Sequence, residues 1–522
     1  MAGSGSGWWR GATLYQVYVR SFQDTNGDGY GDLPGVTSRL GYLSWLGMDG
    51  VWLSPTMPSP DDDWGYDVSD YLGVHPELGT LADLDELVAE AGRRGMRVLL
   101  DLVPNHTSSA HPWFVEAVSD PGSEHRRFYV WADPAPDGGP PNNWLDATSA
   151  PAWTLDEKSG QYYLHNYLPS QPDLNWWEPA VHEAFRQILR FWFDRGVAGF
   201  RIDVAQGLYK DAELRDDPPA TRPDRPHSHF GLAQLNSANR PESHGVFREW
   251  RQIAESYPSP RLLLGETWVA DLAAMARFHG QGDELQLTFN IPFLFAPFTA
   301  EALSGIVEET LAELPEGACP VWTASNHDLS RFPTRWGEGE EDKARLALLV
   351  LVTLPGTVVL YEGDEIAMTD VQVPAALRRD PMTPSGLSGE GRDRARTPMM
   401  WDSSPSVGFT SEDVRPWLPS GDAERNVADQ LDDPGSTLRL CRDLIALRRS
   451  ELPGQPISYQ RLPGPAGVWI YRSGGLTVAA SFTDETVSLP EPLQRVVLAT
   501  SPMPETVGTL EPWTGAIARP PV

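Results

Sequence analysis

The sequence predicts an α/β protein built on a (β/α)8 TIM barrel, with an inserted subdomain after strand three and a C-terminal antiparallel β-domain. Eight short apolar runs have the length of buried strands, at residues 14–19, 51–53, 98–103, 199–204, 262–265, 285–289, 321–324 and 357–361. Helical patterns fill the intervals, at residues 35–46, 81–94, 179–195, 246–256, 271–278, 300–314, 342–353 and 437–449. Strands that alternate with helices predict a parallel sheet, and eight such units predict a closed barrel.

The helix predicted over residues 81–94 illustrates the pattern on which these assignments depend. Its apolar residues recur at spacings of three and four, at Leu84, Leu87, Val88 and Ala91. That spacing places them on one face of an α-helix, which indicates an amphipathic helix packed against a core.

Long stretches interrupt the alternation of strands and helices. Residues 107–175 are rich in Pro, Gly, Asn and Trp and are too long for a simple barrel loop, which predicts an inserted subdomain. Residues 206–243 are expected to cap a cleft, and residues 368–430 form another excursion. Later runs at 467–471, 476–482 and 495–499 are typical of a small antiparallel β-domain. The predicted division is residues 1–106 and 176–452 for the barrel, 107–175 for the insertion and 453–522 for the C-terminal domain.

Composition narrows the classes of partner. The 522 residues carry 41 Lys and Arg against 72 Asp and Glu, a formal net charge of −31, which disfavours nucleic acid and anionic membranes and fits a neutral small substrate. The two cysteines, Cys319 and Cys441, lie far apart, which argues against a disulfide scaffold or a zinc site. The leading MAGSGSG has no apolar core, and no apolar run approaches the ~20 residues that span a bilayer. We expect a cytoplasmic monomer or weak homo-oligomer.

Polar side chains follow four of the predicted strands where each strand ends. The segments are DLVPNH at 101–106, GFRIDV at 199–204, LLLGETW at 262–268 and SNHD at 325–328. In a (β/α)8 barrel, catalytic residues lie at the carboxyl ends of several strands. We therefore expect Asp203, Glu266 and Asp328 to lie close together. Carboxylates grouped in this way are the catalytic residues that cleave glycosidic bonds.

Two of these carboxylates would need opposite protonation states. A retaining glycosidase places two carboxyl groups about 5 Å apart, one ionised to attack the anomeric carbon and one protonated to release the leaving oxygen. Arg201 lies two residues from Asp203, so on a strand both side chains share a face, and its charge can lower the pKa of Asp203. Glu266 has no adjacent cation in the sequence, which fits the protonated role.

The four segments resemble, in order and placement, the signature segments of the α-amylase superfamily, glycoside hydrolase family thirteen. QPDLN at 171–175 resembles an additional segment of that family's oligo-1,6-glucosidase and α-glucosidase branch. RTPMMW at 396–401 resembles a further marker of the branch, usually RTPMQW, with Met400 in place of Gln. The resemblance covers almost the whole chain, and six motifs in the right order are highly specific.

The resemblance implies a mechanism and roles for the three carboxylates. Asp203 would be the nucleophile, Glu266 the general acid/base, and Asp328 the carboxylate that stabilises the distorted sugar. Asp101 would be structural, supporting the base of the site. The expected enzyme is an exo-acting retaining α-glucosidase that releases α-glucose from short gluco-oligosaccharides.

The resemblance also implies a closed substrate pocket. Asp63 would pair with either Arg392 or Arg396 and bind the hydroxyl at the non-reducing end, and Tyr66 would stack on the terminal glucose. The sequence does not decide between the two arginines. The full expected set of substrate-binding residues is Asp63, Tyr66, His106, Arg201, His327, Arg392 and Arg396.

Val204, directly after Asp203, bears on the linkage that is cleaved. In part of the related branch, Val at this position accompanies α-1,6 bonds, whereas Thr or Ala accompanies α-1,4 bonds. The segment GFRIDVAQGL also resembles actinobacterial α-glucosidases that act on maltose despite this Val. We therefore expect α-1,4 action on short oligosaccharides, with α-1,6 action as the close second.

Two other functions fit part of the sequence. A glucosyl transferase or isomerase, such as a trehalose synthase or a sucrose-converting enzyme, would share the covalent intermediate and differ in its acceptor; transglucosylation by the α-glucosidase itself is the intermediate case. A non-enzymatic transporter accessory subunit would keep the barrel but lose catalytic residues, whereas this chain keeps all three carboxylates.

A loop after the first strand has the layout of a cation site. Oxygen ligands alternate along it, and Gly29 permits a sharp turn; the expected ligands are Asp24, Asn26, Asp28, Tyr30 through its carbonyl, and Asp32. An EF-hand would need Glu at the twelfth position, where Gly35 stands, so the loop is only similar to an EF-hand. It resembles the calcium or magnesium site of the family branch, and we expect a structural Ca²⁺, with Mg²⁺ as the alternative, and no organic cofactor.

Overall fold

The computed structural model describes residues 7–221, 230–269, 271–382, 391–452 and 457–520. The first six residues of the polar leader lie outside this range, as do part of the expected cleft cap, part of the excursion at 368–430 and the expected domain boundary at 453.

Eight parallel strands form one sheet that is nearly closed into a barrel, which confirms the predicted fold class. In chain order the strands are Thr13–Val17, Gly50–Leu53, Arg97–Leu102, Gly199–Ile202, Leu262–Gly265, Leu287–Thr288, Val321–Trp322 and Thr357–Tyr361. The first strand pairs with both the second and the eighth, as Leu14 opposite Gly50 and Val359 shows. Around the sheet the order is seven, eight, one, two, three, four, five, six, so the two shortest strands flank the gap.

Helices fill the intervals between the barrel strands and also occur in the insertion. Their bounds are Val19–Phe22, Leu33–Leu46, Leu81–Arg93, Pro112–Ser119, Pro179–Asp194, Ser243–Glu255, Leu272–Arg277, Ile291–Leu294, Ala300–Glu313, Phe332–Arg335, Glu341–Thr353, Val427–Asp432 and Thr437–Glu451. Short 3-10 helices lie at Glu124–Phe128, Ala205–Gly207, Asp364–Ile366, Ala375–Leu377 and Asp393–Ala395. Nearly every residue of the eight strands is buried, because helices cover the outside of the sheet and side chains fill its centre.

The helix Leu81–Arg93 begins where its side chains satisfy the free amides of its first turn. Thr80 accepts a hydrogen bond from the amide of Asp83, and the Asp83 carboxylate accepts one from the amide of Thr80, which forms a capping box. Leu84, Leu87 and Ala91 are buried, in agreement with the apolar face that the spacing predicts.

The insertion after the third strand has its own small antiparallel sheet. Its strands are Trp131–Ala132, Trp153–Asp156 and Gln161–Leu164, with the last in the centre. A bridge between His106 and Asp173 joins the end of this segment to the residues that follow the third barrel strand. The insertion therefore lies next to the carboxyl ends of the barrel strands.

The C-terminal region consists of antiparallel sheets. Five strands pair in the order Tyr459–Leu462, Val468–Ser473, Leu476–Ser481, Gly515–Ala518 and Val496–Ala499, and two more, Val487–Gln494 and Thr506–Leu510, form a separate ribbon. The sequence predicted three of these seven. Within the described residues, no helix is long and apolar enough to cross a membrane.

Candidate active site

Arg201 links three carboxylates that come from three neighbouring barrel strands. Its Nη1 lies 2.9 Å from Asp101 Oδ1 and 2.7 Å from Asp203 Oδ1, and its Nη2 lies 2.5 Å from Glu266 Oε1. The Arg201 side chain is only 1% exposed, so these contacts are shielded from water. Two carboxylates that contact one guanidinium lie on the same side of the barrel mouth, as a pair of catalytic carboxyl groups would.

The structure corrects one expectation about these charges. Sequence spacing assigned Arg201 to Asp203 and left Glu266 without a cation, but the guanidinium contacts both. The cause is strand register: Ile202 lies opposite Gly265, so Asp203 and Glu266 are the next residues on adjacent strands. A contact between residues on two neighbouring strands is not visible as a sequence spacing; the Val204 amide and Glu266, which are also in contact, are 62 positions apart.

Burial governs the protonation of this group. It raises the pKa of Asp203 well above its usual value, and Arg201 opposes that rise. Burial likewise raises the pKa of Asp101, to about 7, again against the effect of Arg201. The net direction for Asp203 is therefore opposite to the one that the Arg201 charge alone predicts, because desolvation of a buried carboxylate outweighs a single cation shared by three acids.

Val204 holds an unusual backbone conformation between Asp203 and Glu266. Its φ of 44° lies in the left-handed region, which a β-branched residue rarely adopts. In this conformation the Val204 amide donates to Glu266 Oε2 at 3.2 Å. A Cβ at Gly207 would come within 2.7 Å of Val204 Cγ1, so the absence of a side chain at 207 makes room for the turn. Strain of this kind clusters at functional sites.

Asp328, in the segment that follows the seventh strand, is surrounded by basic groups. Arg396 Nη2 lies 2.8 Å from its Oδ1, Arg392 Nη1 lies 3.4 Å from the same oxygen, and His327 Nε2 lies 3.3 Å from Oδ2. Burial opposes ionisation of Asp328, but the charges of Arg396 and Arg392 hold its pKa below the usual range. Asp328 is therefore ionised at neutral pH.

Tyr66 and His327 form a stacked pair at the base of the site. Their ring centroids are 5.3 Å apart with an interplanar angle of 5°, and Tyr66 Oη lies 2.6 Å from His327 Nε2. Tyr66 Oη also donates to Asp101 Oδ2 at 3.1 Å, and Gln16 Nε2 lies 2.7 Å from His327 Nδ1. Burial lowers the pKa of His327 well below its usual value, so the ring is neutral.

His106 is buried and engaged through both ring nitrogens. Its Nε2 lies 2.9 Å from the Tyr66 carbonyl oxygen and 3.2 Å from Gln171 Nε2, and its Nδ1 lies 3.1 Å from Asn105 Nδ2. These contacts place His106 against Tyr66 and the QPDLN segment, and its expected contact with the sugar stays a prediction.

Asp63 pairs with Arg392 rather than with Arg396. Arg392 Nη2 lies 2.6 Å from Asp63 Oδ1, whereas Arg396 directs its Nη2 to Asp328 and its Nε to the carbonyl of His327. The pair joins the loop after the second strand to the segment after the eighth. A salt bridge across the carboxyl ends of the strands narrows the opening on that side.

Two further residues hold this pair, and sequence reasoning missed both. Gln171 Nε2 donates to Asp63 Oδ2 at 3.2 Å, and Asp380 Oδ1 accepts from Arg392 Nε at 2.9 Å. Gln171 could have been found, since it opens the QPDLN motif. No motif or periodicity marks Asp380, because it lies in an irregular segment.

The loop after the first strand forms a compact turn of oxygen groups. Asp24 Oδ1 accepts from the amides of Asn26 and Gly27, at 3.1 and 2.7 Å, and Asp28 Oδ1 accepts from the amide of Tyr30 at 2.8 Å. Asp32 caps the helix Leu33–Leu46. Asn26 and Asp28 are exposed. Their oxygens also accept hydrogen bonds within the turn, Asn26 Oδ1 from the Asp28 amide at 2.9 Å and Asp28 Oδ2 from Asn26 Nδ2 at 3.0 Å. Hard oxygen donors of this kind fit Ca²⁺ or Mg²⁺.

The chain belongs to the α-amylase family: the model of the alpha amylase catalytic domain matches residues 16–453. That match confirms the resemblance found in the sequence motifs. It defines the chain as a member of a glycoside hydrolase family, consistent with the barrel and with the carboxylates at its strand ends.

Known relatives cover most of the chain. It is 42% identical over 465 residues to the probable alpha-glucosidase of Rhizobium meliloti (strain 1021), which spans 85% of this chain and 83% of that protein. It is 36% identical over 530 residues to the oligo-1,6-glucosidase of Heyndrickxia coagulans, spanning 93% of this chain and 94% of that protein.

Solved structures are also similar. The structure of the alpha-glucosyl transfer enzyme XgtA matches with a TM-score of 0.92 and 35% identity, over 99% of this chain and 100% of that one. The trehalulose synthase MutB of Pseudomonas mesoacidophila MX-45 matches with a TM-score of 0.90 and 30% identity, again over 99% and 100%.

Proposed function

We propose that this protein is an exo-acting, retaining α-glucosidase that releases α-glucose from the non-reducing end of short gluco-oligosaccharides. The observation that carries the proposal is the arrangement of Asp203 and Glu266 on one buried guanidinium, beside an ionised Asp328. The family and the names of its relatives support the same reaction class.

The proposed reaction has two displacements. Asp203 attacks the anomeric carbon while Glu266 protonates the leaving oxygen, which forms a β-linked glucosyl ester and releases the first product. Glu266, now ionised, takes a proton from water, and the resulting oxygen attacks the ester from the opposite face. Each step inverts the anomeric carbon, so the overall result is retention.

Arg201 has a specific part in this cycle. Its guanidinium contacts the carboxylate of the nucleophile Asp203 and the carboxylate of Glu266 at the same time. When Glu266 loses its proton and Asp203 becomes a neutral ester, the guanidinium can stabilise the charge at its new position without moving. Preorganised charge of this kind is worth several kcal/mol in a buried site.

The pocket accounts for exo action. Asp63 and Arg392 form the closed end of the pocket and bind the terminal hydroxyl. Gln171, which belongs to the insertion, donates a hydrogen bond to Asp63 and holds it in place. Asp328, which Arg396 holds in place, binds hydroxyls of the distorted sugar. Tyr66, His106 and His327 line the part of the pocket that surrounds this sugar. A pocket closed at one end accepts a chain terminus and excludes the interior of a polymer.

α-1,4 linkages are the proposed main substrate, with α-1,6 linkages cleaved more slowly. The relatives support both, since one is named an alpha-glucosidase and another an oligo-1,6-glucosidase. The test is to compare initial rates on maltose and isomaltose and to record the anomer released by proton NMR. α-Glucose must appear first; initial β-glucose would overturn the retaining mechanism.

Glucosyl transfer is the second candidate. Two solved relatives are named an alpha-glucosyl transfer enzyme and a trehalulose synthase, and the covalent intermediate would be common to hydrolysis and transfer. Chromatography of the products from maltose, sucrose and trehalose at high substrate concentration separates the two. Free glucose as the main product supports hydrolysis, and oligosaccharides or sucrose isomers would favour transfer.

A structural divalent cation in the loop after the first strand is a further part of the proposal. Asn26, Asp28 and the Tyr30 carbonyl would form its exposed side, with Asp24 and Asp32 completing the ligands. The ion would neutralise acidic oxygens and hold the turn that precedes the helix Leu33–Leu46. It has no part in the bond cleavage.

A further inference from the structure

Asp380 binds Arg392 at three points. Its Oδ1 accepts from Arg392 Nε at 2.9 Å and from Nη2 at 2.7 Å, and its Oδ2 accepts from the Arg392 backbone amide at 2.7 Å. The Asp380 side chain has no exposed surface. A carboxylate that grips one edge of a guanidinium fixes its plane, because the five N–H groups are held in a rigid fork.

The two segments that carry these residues also fix each other. The Asp380 amide donates to Asp393 Oδ2 at 3.0 Å, while the Arg392 amide donates to Asp380 Oδ2. The Arg379 amide binds the same Asp393 oxygen at 2.6 Å. Although burial opposes its ionisation, Arg392 and Arg396 keep the pKa of Asp380 below the usual value. Asp380 is thus a fixed, charged anchor.

Three carboxylates lie within contact distance of the Arg392 guanidinium. Besides Asp380, it contacts Asp63 at 2.6 Å through Nη2 and Asp328 at 3.4 Å through Nη1. Because Asp380 holds the edge formed by Nε and Nη2, the second proton of Nη2 faces Asp63 and only the far nitrogen approaches Asp328. Without that hold, the charge of Arg392 would be free to move toward Asp328.

We propose that Asp380 is a positioning residue that keeps Arg392 on Asp63, at the terminal sugar hydroxyl, and away from Asp328. This rests on the proposed function, in which Asp328 must remain available to the sugar. Asp380 therefore acts through Arg392 and has no contact with substrate. Its loss would weaken recognition of the non-reducing end specifically, rather than weaken catalysis in general.

The test compares p-nitrophenyl α-glucoside with its 4-deoxy analogue, which lacks the hydroxyl that the Asp63–Arg392 pair would bind. In the wild type, removal of this hydroxyl should lower kcat/KM about 100-fold or more, because buried polar groups lose their partner. In Asp380→Asn, kcat/KM on the glucoside should fall about 10-fold or more, and removal of the hydroxyl should then cost less than about 5-fold. A merely structural defect would lower both substrates equally.

The chain offers a matched control. Asp211 binds Arg215 in the same three-point way, through the backbone amide at 3.1 Å, Nε at 2.8 Å and Nη2 at 2.5 Å, and none of these contacts involves a pocket residue. Asp211→Asn should leave the ratio between the two substrates at its wild-type value. A change of ratio in this variant would show that loss of any such pair has the effect.

Arg392→Lys tests the same idea without a change at position 380. Lys keeps the positive charge but has no planar guanidinium edge for Asp380 to bind. The Arg392→Lys variant should therefore also lose most of the discrimination between the two substrates. Wild-type discrimination in Asp380→Asn, or in Arg392→Lys if the first variant does not fold, overturns the inference. Failure of the wild type itself to cleave the glucoside, or to discriminate against the deoxy analogue, would instead refute the proposed function or its pocket.

Discussion

Arg201 is the residue on which the electrostatics of the site depend. It is buried, and it is shared by Asp101, Asp203 and Glu266, so one positive charge faces three acids. All three cannot be ionised without a large desolvation cost. One proton held within this group of acids reduces that imbalance, and the proposed first displacement requires one proton.

The raised pKa of Asp203 predicts the acid side of the pH profile. The nucleophile acts when ionised, so kcat/KM must fall as pH decreases through the pKa of Asp203, which burial raises. The acid limb on p-nitrophenyl α-glucoside should therefore lie above the ordinary aspartate value of about 3.9. A limb at or below pH 4 would contradict the predicted direction.

Asp101→Asn is the companion variant for this measurement. The negative charge of Asp101 raises the pKa of Asp203, and its carboxylate competes for Arg201. Removing that charge should move the acid limb of the remaining activity to lower pH. Movement to higher pH would mean that another group controls the limb.

At the scale of the elements, strand ends and the long segments between them build the pocket together. Asp203 and Glu266 come from adjacent strands in register, whereas Asp63, Gln171 and Arg392 come from three connecting segments. The strands fix the reacting groups, and the segments close the end that selects a chain terminus.

Asp63→Ala should abolish recognition of the terminal glucose. It leaves the Arg392 guanidinium without its partner at the pocket end, and kcat/KM on maltose should fall about 100-fold or more. Asp62→Ala, at the exposed neighbouring position, is the control and should retain wild-type activity.

The wild-type enzyme should barely attack starch or a maltoheptaose blocked at its non-reducing end. Rapid internal cleavage of either substrate would show an open groove.

The contrast between strands and segments also explains what the sequence could predict. All eight barrel strands and their helices were predictable because apolar runs and helical spacing are local signals, and the strand-end carboxylates followed from the fold. The contact between Arg201 and Glu266 needed the register of two strands. Asp380 lies in an irregular segment without a pattern, and the strand Val487–Gln494 was missed because two prolines interrupt its alternation.

At the scale of the whole molecule, one nearly closed sheet brings together residues from across most of the chain. The salt bridge between Asp63 and Arg392 spans 329 positions, and the pairing of the first and eighth strands brings distant segments together. Stability of the barrel and integrity of the pocket are therefore coupled. A ligand that binds only the folded chain should stabilise both.

Chelation tests the proposed cation in this way. Removal of divalent ions with EDTA should lower Tm, and added Ca²⁺ should restore it, because binding to the native state adds stability. Asp28→Ala should melt at a lower temperature than the wild type and should not respond to the chelator. Equal Tm values with and without chelator would leave the loop as a polar turn.

The most direct test of the central claim is to trap the covalent intermediate. Incubation with 5-fluoro-α-glucosyl fluoride should give a protein that carries one glucosyl adduct. The fluorine at C5 slows both displacements, whereas the fluoride leaving group accelerates only the first, so the ester accumulates. Peptide mass spectrometry should locate the adduct on Asp203, and Asp203→Asn should show none. An adduct on Glu266 or Asp328, or turnover with inversion and no adduct, would contradict the assignment of Asp203 as nucleophile.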